Sequence, residues 1–445
     1  MARQHEAAVF LAGHGLASPW TSWRRAGAVV SACAAMTRCA IPFLSIIKKT
    51  DHQTGVSGAG RGGTMQVERR REPLDEVQAM LRDSVQAFVA RHPGAKRLRA
   101  LRDGRATEAD AVWPSIAESG WLSIMTPESL GGLGLGLAEL CAVAEELAAG
   151  LAPETFVADN LAIAVLTGGD NADLTVERLP ALLDGSSRLA LAWQEAANTL
   201  DPREVATTAT PVAGGVALNG AKRMIPGAAT ASAFLVTAEG PSGLGAYWVD
   251  PAQPGVSLDL RTTVDGVALG DLTLNDVVVA DDRRISGEAS SLLTRVLEEA
   301  RMAASAALFG LVRQALAITV DYTRTRQQFG KPIGSFQSLQ HRMVDLWMQQ
   351  EITRNTLAHA LVVFAATEDP AARAVAASAA KAQASKAAML VTRQAIQLHG
   401  GVGYADEYDI GLFLKRAIVL SGWLGTASLH RRRYVLEAPG FDDQA

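Results

Sequence analysis

The sequence predicts a mainly α-helical protein that carries a β domain in its middle. Alanine-rich segments at both ends place apolar residues at the three- and four-residue spacing of helices, with little Pro or Asn to interrupt them. Between about residues 188 and 280, the pattern changes to short β-rich runs separated by Gly, Pro, Asn or Asp. The expected order is therefore a helical domain, a small barrel or sandwich, and a second helical bundle.

Composition limits the class of protein. A chain of 445 residues with 48% hydrophobic content is long enough for two or three domains with a large core. The net charge of −4 and the pI near 6.1 argue against nucleic-acid binding, because domains with that function are usually basic. Cys33, Cys39 and Cys141 show neither metal-ligand spacing nor an even disulfide framework. We therefore expect no metal site and a reducing, cytoplasmic location.

The first 64 residues differ from the rest of the chain. Residues 26–47 are apolar enough for a membrane span or a signal peptide, but a charge at Arg38, near the middle, would be costly in lipid. Residues 54–64 have the composition of a flexible linker. We expect the natural start to be Met65, residues 1–64 to be a disordered or mis-assigned extension, and the protein not to bind membranes.

An N-terminal helical domain is predicted over residues 65–186. Its first helix carries an apolar stripe and ends at residues 92–94. The run GGLGLG at 131–136 lacks the preceding strand and the acidic partner of a nucleotide loop, so a turn is expected there. The remaining helices are expected over 113–118, from near 137 to about 166, and over 176–183. The stripe consists of Val77, Met80, Leu81, Val85, Phe88 and Val89.

The β domain is predicted over residues 187–285 and the C-terminal bundle over 286–437, followed by a tail, 438–445. Asp369 and Pro370 make a typical helix start, because Asp caps the N-terminus and Pro suits the first helical position. The long C-terminal helices are expected at roughly 290–329, 335–366 and 371–399, with shorter ones after them.

Two of these helices meet in the segment Thr319–Met343. Gly330 and Pro332 are expected to end the first helix, and Ser335 to cap the second. Arginine pairs with phosphate in a fixed fork geometry, so the donor-rich turn is a candidate anion site, with a solvated helix hairpin as the alternative. The donors are Arg324, Arg326, Gln327, Gln328 and Lys331.

Three ordered motifs resemble the flavin-dependent acyl-CoA dehydrogenases. The turn carries Y-x-x-x-R-x-Q-F-G-K-P-I from Tyr322, and Phe336, Gln337 and Gln340 follow it. QLHGGVGY at 397–404 and TPESLGGLGLGLAELCAVAEEL at 126–147 match as well. The resemblance covers roughly residues 74–437 and implies an N-terminal helical domain, a middle β-barrel and a C-terminal four-helix bundle.

The resemblance also implies a chemistry and partners. Members of the family oxidise an acyl-CoA thioester: a carboxylate removes the α proton, and the β hydrogen leaves as hydride to FAD. A homo- or hetero-oligomer (a dimer of dimers) with another subunit of the family, and an electron-transfer acceptor, are the implied partners.

Site residues are carried over from the matching motif positions. Arg326, Gln328 and Phe329 are expected at the FAD diphosphate and adenosine of the neighbouring subunit, with Phe336 and Gln337 close by. Gln397, Gly400, Gly401 and Gly403 are expected to form a loop against the adenosine and pyrophosphate, where glycine lets backbone N–H groups approach; a plain helix C-cap is the alternative for Gly400 and Gly401. Thr426 is expected to contact FAD, and Arg301 the acyl-CoA.

The chain departs from the family at the catalytic base. The usual Tyr-Glu-Gly-Thr run is Trp-Leu-Gly-Thr at 423–426, so Leu424 replaces the carboxylate. A minority of members carry the base instead at the position of Ala300. Glu298 and Glu299 are neighbours in sequence but lie on other helical faces, and we expect a solvated acidic surface there. No conventional base is left, although the backbone N–H of Leu424 still provides an oxyanion donor.

The predicted flavin side of the β domain departs as well. Met224-Ile225-Pro226 replaces Trp-Ile-Thr, and proline has neither the hydroxyl nor the N–H for a hydrogen bond to the flavin. Residues 193–198 replace the usual Thr-Glu-Pro-Gly-x-Gly-Ser loop, and Glu195, which matches its Glu, is expected to be structural. Leu412 and Arg416 replace a basic and an acidic residue.

Three hypotheses follow. The chain is a working acyl-CoA dehydrogenase subunit whose base comes from a partner chain, as in heteromeric members that act on bulky steroid side-chain thioesters. Alternatively, it is a non-catalytic scaffold of the same fold, or a flavin oxidase or monooxygenase of that fold. The retained turn and Gly-loop motifs favour the first two.

Overall fold

The computed structural model describes residues 76–105, 111–197 and 199–438. All of them belong to one compact unit, residues 66–445. The expectations for residues 1–64, for a start at Met65 and for most of the 438–445 tail lie outside the described residues.

Six helices form the N-terminal part of the described chain. Their bounds are α1 Glu76–Arg91, α2 Gly94–Arg102, α3 Trp113–Glu118, α4 Leu137–Ala149, α5 Phe156–Thr167 and α6 Ala172–Leu183. The turn predicted at GGLGLG is confirmed, since α4 begins directly after it. The last helix begins four residues earlier than predicted because Asn171 caps it, accepting from Leu174 N at 3.0 Å.

The apolar stripe predicted for α1 is only partly correct. Val85 and Phe88 are buried, whereas Met80 is 67% exposed. The first half of α1 makes polar contacts with α4: Arg82 donates to Glu145 and Glu146, each at 2.8 Å. Ion pairs therefore replace apolar packing where the stripe was expected to continue.

Eight strands form one mixed sheet in the middle of the chain, as predicted for the β domain. The strands are β1 Leu189–Ala192, β2 Thr208–Val212, β3 Gly215–Pro226, β4 Ala233–Gly240, β5 Gly243–Val249, β6 Val256–Thr262, β7 Ala268–Ala280 and β8 Arg284–Ser286. Their order is β6-β7-β3-β2-β4-β5-β8, and β1 joins β4 in parallel, with Leu189 opposite Ala233. The strands β5 and β7 are not neighbours in this order, yet their side chains pack into one core with those of β3 and β4. The sheet therefore curves around its own interior.

Two strands of this sheet were not predicted from the sequence. The strand β2 is mostly exposed and contains Pro211, so it lacks the alternation of a half-buried strand. The strand β8 has three residues, too few for a periodic signal.

Five helices form the C-terminal part: α7 Ser290–Thr325, α8 Gln337–Ala366, α9 Pro370–His399, α10 Ile410–Gly422 and α11 Ala427–Glu437. The 36-residue α7 runs through the core and packs against α4, α8, α9 and α10. It is long and apolar enough to span a membrane, but 72% of its most apolar window is buried within the protein, as in the core helix of a bundle. The N-cap predicted at Asp369 is confirmed, since its carboxylate accepts from Ala371 N and Ala372 N.

The α7–α8 turn differs from the prediction. The first helix ends at Thr325, before Gly330 and Pro332, because residues 327–328 and 331–332 form a short antiparallel ladder, β9–β10. Phe329 and Gly330 close this ladder with positive φ of 54° and 77°. Ser335 does not cap α8: its hydroxyl donates to Pro332 O at 2.7 Å, and Phe336 occupies the N-cap position.

Candidate functional site

A largely apolar cavity of about 310 Å³ lies where both helical parts meet the sheet. Its walls come from α4, the α4–α5 connection, β3, the β6–β7 hairpin, α7 and the end of α10. The lining residues include Glu154, Thr155, Gln194, Met224, Pro226, Thr263, Arg416, Trp423 and Thr426. A concave apolar site with a few polar groups is typical of a small-molecule site.

The loop after α10 is held in a left-handed conformation at the edge of this cavity. Leu424 has a φ of 58° and Gly425 a φ of 106°. The carbonyl oxygen of Leu424 lies 2.9 Å from His430 Nε2. The amide N–H of Leu424 has no hydrogen-bond partner among the described residues. The conformation therefore leaves one backbone donor of this loop unused.

The fully buried Lys381 of α9 holds the same loop. Its Nζ donates to the carbonyl oxygens of Leu420, Ser421 and Gly425 at 3.1, 3.3 and 3.1 Å. The carbonyls of Leu420 and Ser421 belong to the last turn of α10, where a helix leaves acceptors unpaired and favours a cation. Burial, together with the nearby charge of Arg301, lowers the pKa of Lys381 to about 7.

The two positions at which the sequence analysis expects a catalytic base, 424 and 300, both hold buried apolar residues. Leu424 is 1% exposed, and Ala300, on α7, is 3% exposed. Among the described lining residues the cavity has one carboxylate, Glu154, and its two oxygens accept from Arg97 at 2.8 and 2.9 Å. A carboxylate whose two oxygens are both held by one guanidinium is fixed away from a substrate proton by its geometry.

The solvated acidic surface expected at Glu298 and Glu299 is wrong. Glu298 is 2% exposed and Glu299 is 8% exposed. Glu298 Oε1 lies 2.5 Å from nitrogens of both Arg301 and Arg433. Both carboxylates are on α7, which packs against several other helices. The sequence argument considered the faces of this one helix and could not show that its neighbours bury both carboxylates.

Arg301 does not line the cavity. It is 1% exposed and donates to Glu298 and to Leu200 O, each at 2.5 Å. Burial lowers its pKa. Its assignment to the acyl-CoA therefore remains a prediction, and in this structure its donors hold the chain near Leu200.

Glu195 is structural, as expected from the sequence. Its carboxylate accepts from Lys222 Nζ at 2.7 Å and from Thr207 N and Oγ1 at 3.0 and 2.6 Å. Burial opposes its ionisation, but these hydrogen bonds prevail and lower its pKa. Near it, Met224 has a φ of 54°, and its N–H donates to Asp271 Oδ1 at 2.9 Å. The cavity wall at Met224 and Pro226 is therefore apolar, and the amide of Met224 is already used.

The fold brings the two motifs that are predicted to bind the cofactor together on one face, which does not overlap the cavity lining. Tyr322, in the last turn of α7, stacks on His399 with ring centroids 4.3 Å apart and donates to His399 O at 3.2 Å. The α7–α8 turn and the 400–404 loop are therefore neighbours. Phe329 is 91% exposed and Phe336 is half-buried with its ring 6.1 Å from that of Phe329. Arg326, Gln328, Gln337 and Gln397 are exposed.

The glycines of this face differ in how much space surrounds their α carbon. A Cβ added to Gly400 or Gly401 would meet nothing within 4 Å, whereas one at Gly403 would lie 2.7 Å from Ile396 O. Gly400 also needs its φ of 63°, which makes it the C-cap predicted as an alternative. Open backbone at Gly401 and the exposed donors of the turn fit the binding of a diphosphate and adenosine on this face.

Thr426 is the predicted cofactor residue that lines the cavity. Its hydroxyl also caps α11, accepting from Leu429 N at 3.4 Å.

Sequence reasoning missed Lys381 and the ion pair between Arg416 and Asp265. A signal existed for Lys381, since it shares the α9 face of the buried Ala377, Ala384 and Ala388.

Comparison with known proteins gives consistent matches along the chain. Family models for the acyl-CoA dehydrogenase N-terminal and C-terminal domains match residues 75–186 and 290–435. The chain is 30% identical to acyl-CoA dehydrogenase IpdE2 of Mycobacterium tuberculosis, over 77% of this chain and 91% of that protein. It is also 30% identical to benzylmalonyl-CoA dehydrogenase of Aromatoleum aromaticum, over 77% of this chain and 92% of that protein.

Solved structures match over a similar share. A Tcur3481–Tcur3483 steroid ACAD variant is 31% identical, with a TM-score of 0.71 over 80% of this chain and 96% of that one. The ChsE4–ChsE5 complex from Mycobacterium tuberculosis is 27% identical, with a TM-score of 0.71 over 81% of this chain and 96% of that one.

Proposed function

The chain belongs to the acyl-CoA dehydrogenase family, and we propose that it is an FAD-dependent subunit for α,β-dehydrogenation of an acyl-CoA thioester whose catalytic carboxylate comes from a second chain. The observation that carries this proposal is the pair of buried apolar residues, Leu424 and Ala300, at the base positions. Glu154, the carboxylate of the described cavity wall, is committed to Arg97. The similar ChsE4–ChsE5 structure is a complex of two different chains, which supports a heteromeric subunit.

The loop at Leu424 would bind the thioester carbonyl. Negative charge develops on that oxygen during α-proton removal, so donors held in place lower the barrier. The unpaired N–H of Leu424 is such a donor, and Lys381 and His430 hold the surrounding carbonyls. FAD, when bound, accepts the hydride from the β carbon.

The exposed face around Phe329 would hold the adenosine and diphosphate of FAD belonging to a neighbouring subunit. Arg326 and Gln328 supply exposed donors, and Gly401 leaves its backbone open. Phe329 and, on the neighbouring 400–404 loop, Tyr404 are 91% and 81% exposed, and a cofactor or a second subunit would cover these aromatic rings. Phe336, Gln337 and Gln397 lie on the same face and would complete the contact. We also propose a cytoplasmic location and an electron-transfer protein as the acceptor.

Leu424→Glu tests the proposal directly, because it restores a carboxylate where the family carries one. Lys381 Nζ lies 3.1 Å from the carbonyl oxygen of the adjacent Gly425, so the ammonium form of Lys381 would favour the ionised glutamate. With 3-phenylpropanoyl-CoA as probe, the flavin band of the Leu424→Glu chain alone should bleach. Leu424→Gln, of equal size without a base, should not, nor should the wild-type chain. Bleaching of the lone wild-type chain would mean that it has a base of its own, and no bleaching of a Leu424→Glu chain that binds both flavin and thioester would count against the site.

A non-catalytic scaffold subunit is the second candidate function. The commitment of Arg301 to Glu298 and Leu200 favours it, because the arginine that the family assigns to substrate is then not open to the cavity. A scaffold would bind its partner without flavin at the Phe329 face. Flavin content of the purified complex, compared between wild type and Arg326→Ala, separates the two functions.

A further inference from the structure

The loop between α10 and α11 needs contacts from outside it to keep its conformation. Leu424 has a φ of 58°, which is unfavourable for a residue with a side chain. Within the loop, Gly425 N donates to Gly422 O at 3.3 Å, which is long for an N–H···O hydrogen bond. The loop therefore contributes little to holding Leu424 in this conformation, and its neighbours must supply the rest.

One fully buried side chain joins the two ends of this loop. Lys381 Nζ lies 3.1 Å from the carbonyl oxygens of Leu420 and Gly425 and 3.3 Å from that of Ser421. Three carbonyl acceptors require three N–H donors, which the ammonium form of lysine supplies. Two of these carbonyls precede Leu424 in the chain and one follows it. The contacts therefore span Leu424 and fix the direction of its N–H.

The charge of Lys381 is directed at this loop. It has no carboxylate partner among the described residues, whereas Arg301 and Arg433 both pair with Glu298. Burial, with the charges of Arg301 and Lys381, lowers the pKa of His430 to about 3. His430 is therefore neutral and donates through Nε2 to the carbonyl oxygen of Leu424 at 2.9 Å. The positive potential that keeps His430 neutral thus reaches the loop itself.

We propose that Lys381 is the positioning residue for activation of the thioester: its ammonium group holds the loop so that Leu424 N–H meets the thioester oxygen, and its charge favours negative charge there. The proposal rests on the proposed function, since it assumes that this loop binds the thioester. Donors and charges fixed before the reaction stabilise an oxyanion without reorganising. This chain would then polarise the carbonyl, and the second chain would remove the α proton.

The infrared carbonyl band of a bound thioester tests the proposal without turnover. This band moves to lower frequency as the carbonyl is polarised. It is isolated by difference spectra of 3-phenylpropanoyl-CoA with and without a heavy carbon isotope at the carbonyl, bound to the full-length chain. Lys381→Met keeps the length of the side chain and removes its donors and charge. Lys381→Gln, uncharged and too short for all three carbonyls, serves if the methionine variant does not fold.

The matched control is Lys386→Met, the same substitution at an exposed lysine of α9. All spectra are taken at about pH 6, because the pKa of Lys381 is about 7 and its ammonium form then predominates. The unfolding midpoint of each variant is measured as well. A merely structural role would change that midpoint and leave the carbonyl band of the bound probe unchanged.

In the wild type and in Lys386→Met, the carbonyl band of the bound probe should lie at lower frequency than that of the free probe. In Lys381→Met the probe should still bind, with its band at higher frequency than in the wild type. A band that Lys381→Met leaves unchanged would overturn the proposal, and so would a folded Lys381→Met that no longer binds the probe. A wild-type band at the frequency of the free probe would overturn it too, because the loop would then not polarise the carbonyl. Failure of the wild type to bind the probe would instead refute the proposed function.

Discussion

Gly401 and Gly403 lie two residues apart and should respond to the same substitution in opposite ways. A methyl group added to Gly403 would lie 2.7 Å from Ile396 O and 3.1 Å from His399 Cβ. Backbone or side chain must shift to relieve that contact, at a cost of about 1–3 kcal/mol. A methyl group added to Gly401 meets nothing within 4 Å, and Gly401 is not among the positive-φ glycines. Its effect on stability should be within about 1 kcal/mol, and stabilising if anything.

Two assays on each purified variant separate stability from cofactor binding. Gly403→Ala should lower the midpoint of thermal unfolding of the apoprotein by a few degrees. Gly401→Ala should leave that midpoint unchanged but reduce the flavin retained by the assembled oligomer, because a methyl group there blocks close approach of a diphosphate to the backbone N–H groups. Full flavin content in Gly401→Ala would refute the assignment of this loop to the cofactor.

Three further predictions concern the turn, the buried ion pairs and pH. Arg326→Ala should reduce flavin content with little change in stability, because the side chain is exposed, and unchanged flavin would remove it from the site. Glu298→Gln should destabilise the fold by about 3–5 kcal/mol, because it leaves Arg301 and Arg433 as buried like charges, whereas the surface variant Glu177→Gln should have almost no effect on the unfolding midpoint. Burial lowers the pKa of Lys381 from 10.5 to about 7, so between these values the unfolded chain binds a proton that the folded chain lacks, and stability should rise with pH. In Lys381→Met the free energy of unfolding should not show this rise with pH. Identical curves of unfolding free energy against pH for the wild type and Lys381→Met, from pH 7 to 9.5, would contradict the prediction.

The helices and most strands could be predicted because their patterns are local. Long alanine-rich helices and runs such as residues 233–240 carry their period in a few consecutive residues. The end of α7 could not be placed, because the β9–β10 ladder that ends it at Thr325 depends on a pairing across the turn. The strand β8 was missed for the same kind of reason, since it exists through its pairing with β5.

The candidate site could be predicted only where a motif carried it. The turn and the glycine loop, each assigned to FAD by its motif, are adjacent in space through Tyr322 and His399. The burial of Glu298 could not be inferred, because its partner Arg433 is on a helix more than a hundred residues away in sequence. The pair of Arg416 with Asp265 likewise joins α10 to the β6–β7 hairpin, a contact between domains that a single sequence does not reveal.

The visible spectrum of this chain tests the central claim most directly. The chain would be purified alone and co-purified with a second acyl-CoA dehydrogenase chain that has a glutamate at the position of Leu424, and each sample mixed with 3-phenylpropanoyl-CoA. We predict that the flavin band bleaches in the mixture, that replacing that glutamate by glutamine abolishes the bleaching, and that the lone chain does not bleach. Flavin bands that bleach in the lone wild-type chain would contradict the claim that its base comes from a partner.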